Sequence, residues 1–128
     1  MNSIAVKESM PVVSRSSLRK GQASLYDLIV AKSQSNKALT LDEAKNIWVS
    51  SVHSNIIDGI PHQTVYTQNP NNPGHWYPRN EKMSVEAVNI RVIDWLMRNI
   101  GALVLRGYLK AIPMISLEPQ ATINYKEK

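Results

Sequence analysis

The chain has 128 residues, 43% of them hydrophobic and 20% charged, with three Trp and neither Cys nor Phe. That length suits one small domain. Zero Cys excludes a disulfide scaffold, a thiol nucleophile, an iron–sulfur cluster and every Cys-based zinc finger, and 7 Pro with 5 Gly are too few for a collagen-like or wholly disordered chain. Fifteen Lys and Arg against ten Asp and Glu leave a net charge of +5 and a pI near 9.6. Such an excess favours polyanions or acidic protein surfaces as partners, but it is modest, and a solvated, slightly basic surface accounts for it better than a nucleic-acid footprint does.

Residues 1–23 read as an extended N-terminal arm. They are rich in Ser, lack helical periodicity and carry Lys7, Arg15, Arg19 and Lys20 against Glu8 alone. Val12 and Val13 suit a short strand. Met1–Met10 holds Lys7 and Glu8 and has no apolar run of signal-peptide length, so no secretion signal is expected. A helical domain is expected over 24–112. Its first helix starts at Ser24, where Ser24-Leu25-Tyr26-Asp27 matches a Ser-x-x-acid start signal, and Leu25, Leu28 and Ile29 follow at helical spacing. The strongest local signal comes next: Thr40-Leu41-Asp42-Glu43 is a capping box with two acids in the first turn. Leu41, Ala44, Ile47, Trp48 and Val52 then make one apolar stripe, and the second helix should end near His53–Ile57, before Asp58-Gly59.

Residues 58–82 are dense in Pro, Asn and Gly and read as a long connection. Inside it, His62–Thr67 and His75–Tyr77 have strand character around an Asn69–Gly74 turn, which gives a loose hairpin. From Ser84, residues Val85, Val88, Val92, Leu96, Ile100 and Leu103 recur every three or four positions. The third helix is therefore expected over about 84–111, long, central and apolar on more than one face because of Ile90, Ile93 and Met97. Gly101 and Gly107 permit a kink or a close helix approach. The charges scattered through Val85–Ile115 exclude a membrane span. Residues 113–128 read as an extended C-terminal tail, with Met114–Leu117 and Ala121–Tyr125 alternating like strands around Pro119. The expected fold class is mainly α: a small three-helix domain with a long central C-terminal helix, minor β-structure and extended terminal arms.

No chemistry-bearing motif emerges, and we assign no catalytic, cofactor-binding or metal-binding residue. His53, His62 and His75 stand nine and thirteen residues apart, which matches no ligand spacing. Gly-x-Ser-x-Gly and both glycine-rich phosphate loops are absent. Ser17-Leu18-Arg19-Lys20 matches Ser-x-x-Lys by letters alone. The expected function is that of a non-enzymatic structural or assembly subunit of a multiprotein complex, such as a component of a virus (phage) particle. Its partners would be other protein subunits, with nucleic acid reached through the basic arm and no membrane, and its location the cytoplasm or a virion. The interaction residues expected are Val12, Val13, Arg15, Arg19, Trp76, Tyr77, Ile115, Leu117 and Ile123. The alternative is a small basic nucleic-acid-binding module. It requires Arg15, Arg19, Lys20, Arg79, Arg98, Arg106 and Lys110 to share one face, with Trp76, Tyr77 and Arg79 stacking bases. Assembly requires instead an exposed apolar patch or an unpaired strand edge.

Overall fold

The capping box organises the middle of the chain in a computed structural model that describes residues 14–118. The Thr40 hydroxyl accepts from the Glu43 backbone N–H at 3.2 Å, and a Glu43 carboxylate oxygen accepts from the Thr40 N–H at 3.0 Å. Each side chain satisfies a backbone donor that a helix start leaves orphaned. The helix it opens, α2, covers Leu41–Ser51 and buries Leu41, Ala44 and Trp48.

Helix α1 spans Lys20–Gln34, so it starts one turn ahead of Ser24. Arg19 occupies the cap position without a side-chain hydrogen bond. Burial extends the helix here: Leu18 and Ala23 are in the core, and Gly21 packs so closely on α2 that a Cβ would lie 2.7 Å from Val52 Cγ2. Helix α3 covers Val85–Leu105, with Ser84 as its cap, and stops short of the expected residue 111. Gly107, at φ 86°, ends it. The Tyr108 N–H bonds the Leu103 carbonyl and the Gly107 N–H bonds that of Val104, the paired bonds of a glycine C-terminal cap.

The three helices meet on Leu25, Ile29, Leu39, Leu41, Trp48, Val92, Leu96, Ile100 and Leu103. Two short strands close the core from outside. β1 (Leu39–Thr40) pairs in parallel with β5 (Ile115–Ser116), with Leu39 opposite Ile115. A Lys32–Glu43 ion pair at 2.8 Å joins α1 to α2.

The expected fold class is corrected by the region 56–82. β2 (Ile56–Ile57), β3 (Ile60–Asn69) and β4 (Asn72–Lys82) form an antiparallel sheet in that order. Helix makes up 48% and strand 26% of the described residues, so the fold is a mixture of α and β and not mainly α. Prolines and asparagines give this stretch the look of a loop, yet each Pro sits where no ladder donor is needed. Pro61 is near the start of β3, Pro70 lies in the turn, and Pro73 and Pro78 belong to the edge strand β4. Asp58-Gly59 is not a helix terminus. Both residues have positive φ, 53° and 77°, and they form the two-residue turn that pairs Ile57 with Ile60. Among the described residues, no helix is long and apolar enough to cross a membrane. The expected strand positions Val12 and Val13, and the segment Ala121–Tyr125 with Ile123, lie outside the described residues.

Two outcomes test this account. Thr40→Ala should lower stability by about 1 kcal/mol through loss of the cap, read as the denaturant midpoint at unchanged slope. The second concerns Glu43. Burial acts to raise its pKa, but the hydrogen bonds from Lys32 and from Thr40 outweigh it and hold the carboxyl below its ordinary 4.5. A carboxyl held low in the fold adds stability that is full above its unfolded-state value and is lost as pH falls through the folded-state value. The melting-temperature gap between wild type and Glu43→Gln should therefore be widest near neutrality and shrink as the pH drops below 4.5.

Candidate functional site

Strands β3 and β4 form a ribbon that stands out from the helices. Every residue of β4 is exposed, and its outer edge has no partner strand among the described residues. The turn at its tip is held by Asn69, whose side-chain oxygen accepts from the Asn71 N–H at 2.9 Å. The register then shifts. Gln68 faces Trp76 while Asn69 faces Asn72, so Pro73, Gly74 and His75 bulge from β4.

Directly opposed residues share a face of the ribbon, and successive residues alternate between faces. The pairs His62–Lys82, Thr64–Asn80, Tyr66–Pro78 and Gln68–Trp76 therefore make one face, and Gln63–Glu81, Val65–Arg79 and Thr67–Tyr77 make the other. The two differ in chemistry. On the second, Arg79 donates to the Thr67 hydroxyl at 2.8 Å and lies 4.0 Å from Glu81, which also accepts from Gln63. That face is tied up with itself. The first carries no carboxylate among its paired residues. Tyr66 (66% exposed) and Trp76 (56%) stand on it beside Pro78, with amides and the Lys82 cation around them.

The root of the ribbon is fixed to the core through His53. Its ring stacks on Trp48 at 4.4 Å, and its Nε2 hydrogen-bonds the His62 carbonyl at 2.7 Å. His62 Nδ1 is engaged by the Ile60 carbonyl, and His75 sits in the bulge. Among the described residues no three metal-ligating side chains come together.

A second surface lies where α3 meets α1 and the end of α2. Arg91, Trp95 and Asn99 follow one another at four-residue steps. Two adjoining grooves of about 550 and 230 Å³ share Val52, Trp95 and Asn99. Arg19 and Arg106 line the larger, and Arg91 and Arg98 the smaller, with Asp94 as the only acid in either lining. Arg98 is ion-paired to Asp94, Arg91 sits 5.7 Å from the Trp48 ring centre, and Gln22 donates to Asn99 at 2.8 Å.

Of the residues expected to mediate contacts, Trp76 and Tyr77 are both on the ribbon but on opposite faces. Ile115 is half-buried in β5 against the core, and Leu117 follows it exposed. Arg15 is engaged by Asp27 at 2.6 Å, which holds the Asp27 carboxyl below its usual range through hydrogen bonding. The seven basic residues that the nucleic-acid alternative needs do not share one face. Arg19, Arg98 and Arg106 converge, while Arg79 is on the ribbon and Lys110 lines another cavity beside Lys32 and Lys37. Sequence reasoning places Arg91 on the surface of the third helix with Asp94 and Arg98, but does not single out Tyr66 or Trp95. The four-residue spacing of Arg91 and Trp95 carries a usable signal, whereas Tyr66 joins Trp76 only once the register is known. Comparison with family models, with curated proteins and with solved structures gives no match.

Proposed function

We propose that this protein is a non-enzymatic subunit of a multiprotein assembly and that the β3–β4 ribbon is the element by which it docks on a neighbour. The observation that carries this reading is the first ribbon face. Among the described residues it sets Tyr66, Trp76 and Pro78 in the open, with no carboxylate among the paired residues of that face, on an arm whose outer edge has no partner strand. Aromatic side chains supply large contact area at little entropic cost and dominate interface energetics. Among the described residues neither ring packs into the core and none covers them. An unpaired edge next to such a face is also the template for strand addition.

The test is sedimentation of the full chain over a range of concentrations, with Tyr66→Ser and Trp76→Ser introduced together. Wild type should form species heavier than the 14.4 kDa chain, and the double variant should lose the heaviest of them. Its unfolding midpoint should stay within about 0.5 kcal/mol of wild type, as befits surface positions. Wild type that remains at the mass of one chain throughout overturns the reading.

A second reading, a nucleic-acid-binding module, is favoured by one observation: Arg19, Arg91, Arg98 and Arg106 gather around Trp95. Arginines that contact phosphates release counterions, so affinity for a single-stranded oligonucleotide should fall with salt. Removing one such contact by Arg106→Ala should flatten the slope of log affinity against log salt by about 0.7. Binding that is absent at low salt, or a slope unchanged in that variant, removes this reading.

A further inference from the structure

A groove of about 610 Å³ runs along the last turns of α1, between that helix and the chain that follows α3. Ile29, Val30, Tyr108, Ile112 and Met114 give it apolar walls, and among the described residues its lining holds lysines but no acid. Ile112 is 72% and Met114 56% exposed, so no described residue covers these walls. The start of the described chain leads to the mouth of this groove. From Lys20 back to Ser14 the chain returns along α1. Leu18 is in the core, Arg15 is ion-paired to Asp27 in the middle of the helix, and the Ser14 carbonyl accepts from the Tyr108 hydroxyl at 3.0 Å. Tyr108 packs edge-on against Tyr26 and lines the groove. Ser14 itself is extended, at φ −123° and ψ 133°.

We infer that Met10-Pro11-Val12-Val13 of the same chain fills this groove as an extended strap, antiparallel to α1. These four residues lie outside the described residues and join them directly at Ser14. Their length fits. From Tyr26 to Gln34 the helix rises about 12 Å at 1.5 Å per residue, and four extended residues span about 13 Å. Their conformational preferences fit as well. Pro11 has a fixed φ, the residue before a proline is held to extended backbone, and two successive valines are stiff. Little entropy is therefore lost on docking, and Pro11 brings no N–H that would need a partner against apolar walls. All four side chains are apolar, as the walls are. Glu8, the only acid among residues 1–13, is carried on toward Lys37, just past the end of α1. A segment attached at the mouth of its own groove acts at about millimolar effective concentration, which favours it over the same segment of a second copy. Val12 and Val13, expected from sequence to contact a neighbour, then have their seat within the chain. The groove is separate from the ribbon, and the strap closes it whether or not the chain associates.

The chain has no Cys, so a single introduced thiol reports on the groove. In the full chain, Ile112→Cys should react with a small maleimide about tenfold more slowly than the same thiol in a chain that also carries Val12→Asp and Val13→Asp. Two charged side chains do not enter an apolar groove, so the strap is released and the thiol uncovered. Leu105→Cys, 89% exposed and no part of the groove lining, should react at one rate in both backgrounds. A cooperative melt of the double aspartate variant shows that its core is folded. Tyr108→Phe, which frees the Ser14 carbonyl, should raise the Ile112→Cys rate by a smaller factor. Ile123→Asp, in the other terminal segment, should leave that rate slow, and so should dilution of the protein to low micromolar concentration. Any of three results overturns the strap. The first is an Ile112→Cys rate that is the same with and without the two aspartates. The second is release of the thiol by Ile123→Asp, which makes the C-terminal segment the occupant. The third is release on dilution, which makes the occupant a segment of another copy.

Discussion

Trp48 is the point on which the remainder of the molecule depends. It is buried between α2 and α3, where its indole fills the core beside Leu41 and Ala44. One face of the ring takes the stacked His53 imidazole, and the Arg91 guanidinium stands over the ring as well. Through His53 the same side chain fixes the first residues of β3. Helical core, ribbon root and arginine surface therefore share one aromatic ring. A stacked ring with a hydrogen-bonded outer nitrogen gives the ribbon a defined direction, which an arm joined only by loops would lack.

The exposed apolar side chains follow from a shortage that a chain of this size cannot avoid. Small domains bury a smaller fraction of their surface than large ones. Here α1 and α2 cover one side of α3 and leave Ile90, Met97 and Leu105 in the open, Leu105 at 89%. The ribbon strands take 10 and 11 residues but contribute little to the core beyond Met83 at their foot. A large share of the described chain is thus given to an element that the domain does not need for its own packing. The open face of the ribbon is what this arrangement leaves available to a neighbour.

How far the sequence can be read depends on the range of the interaction concerned. The capping box at Thr40 and Glu43 is local, and it is legible to the residue. So are the core stripe of α3 and the hairpin turn region, since the patterns that mark them span a few residues. The end of α3 is misplaced when Gly107 is weighed as a helix weakener and not as a left-handed cap. The ribbon is underestimated for a related reason. Pro73 and Pro78 oppose a central strand but not an edge strand, and nothing local says which strand is the edge. Arg19 and Arg106 come together across almost the whole chain, and no local pattern reports such a meeting. The face shared by Tyr66 and Trp76 needs the register across a bulge, which only the folded ribbon supplies.

The pairing of β1 with β5 has a consequence for the order in which the chain assembles. It joins Leu39 to Ile115, so closing it encloses both the ribbon and α3. Everything inside that loop is built from nearer contacts: a two-residue turn, a hairpin and a capped helix. Contacts distant in sequence bear the larger loop-closure cost and come late in folding. The clasp is held by two residue pairs, the Leu39 N–H to Met114 carbonyl bond and the buried Leu39 side chain, and loop-closure cost favours its closing after the interior. In hydrogen exchange the Leu39 amide, bonded to the Met114 carbonyl, would report the opening of this clasp.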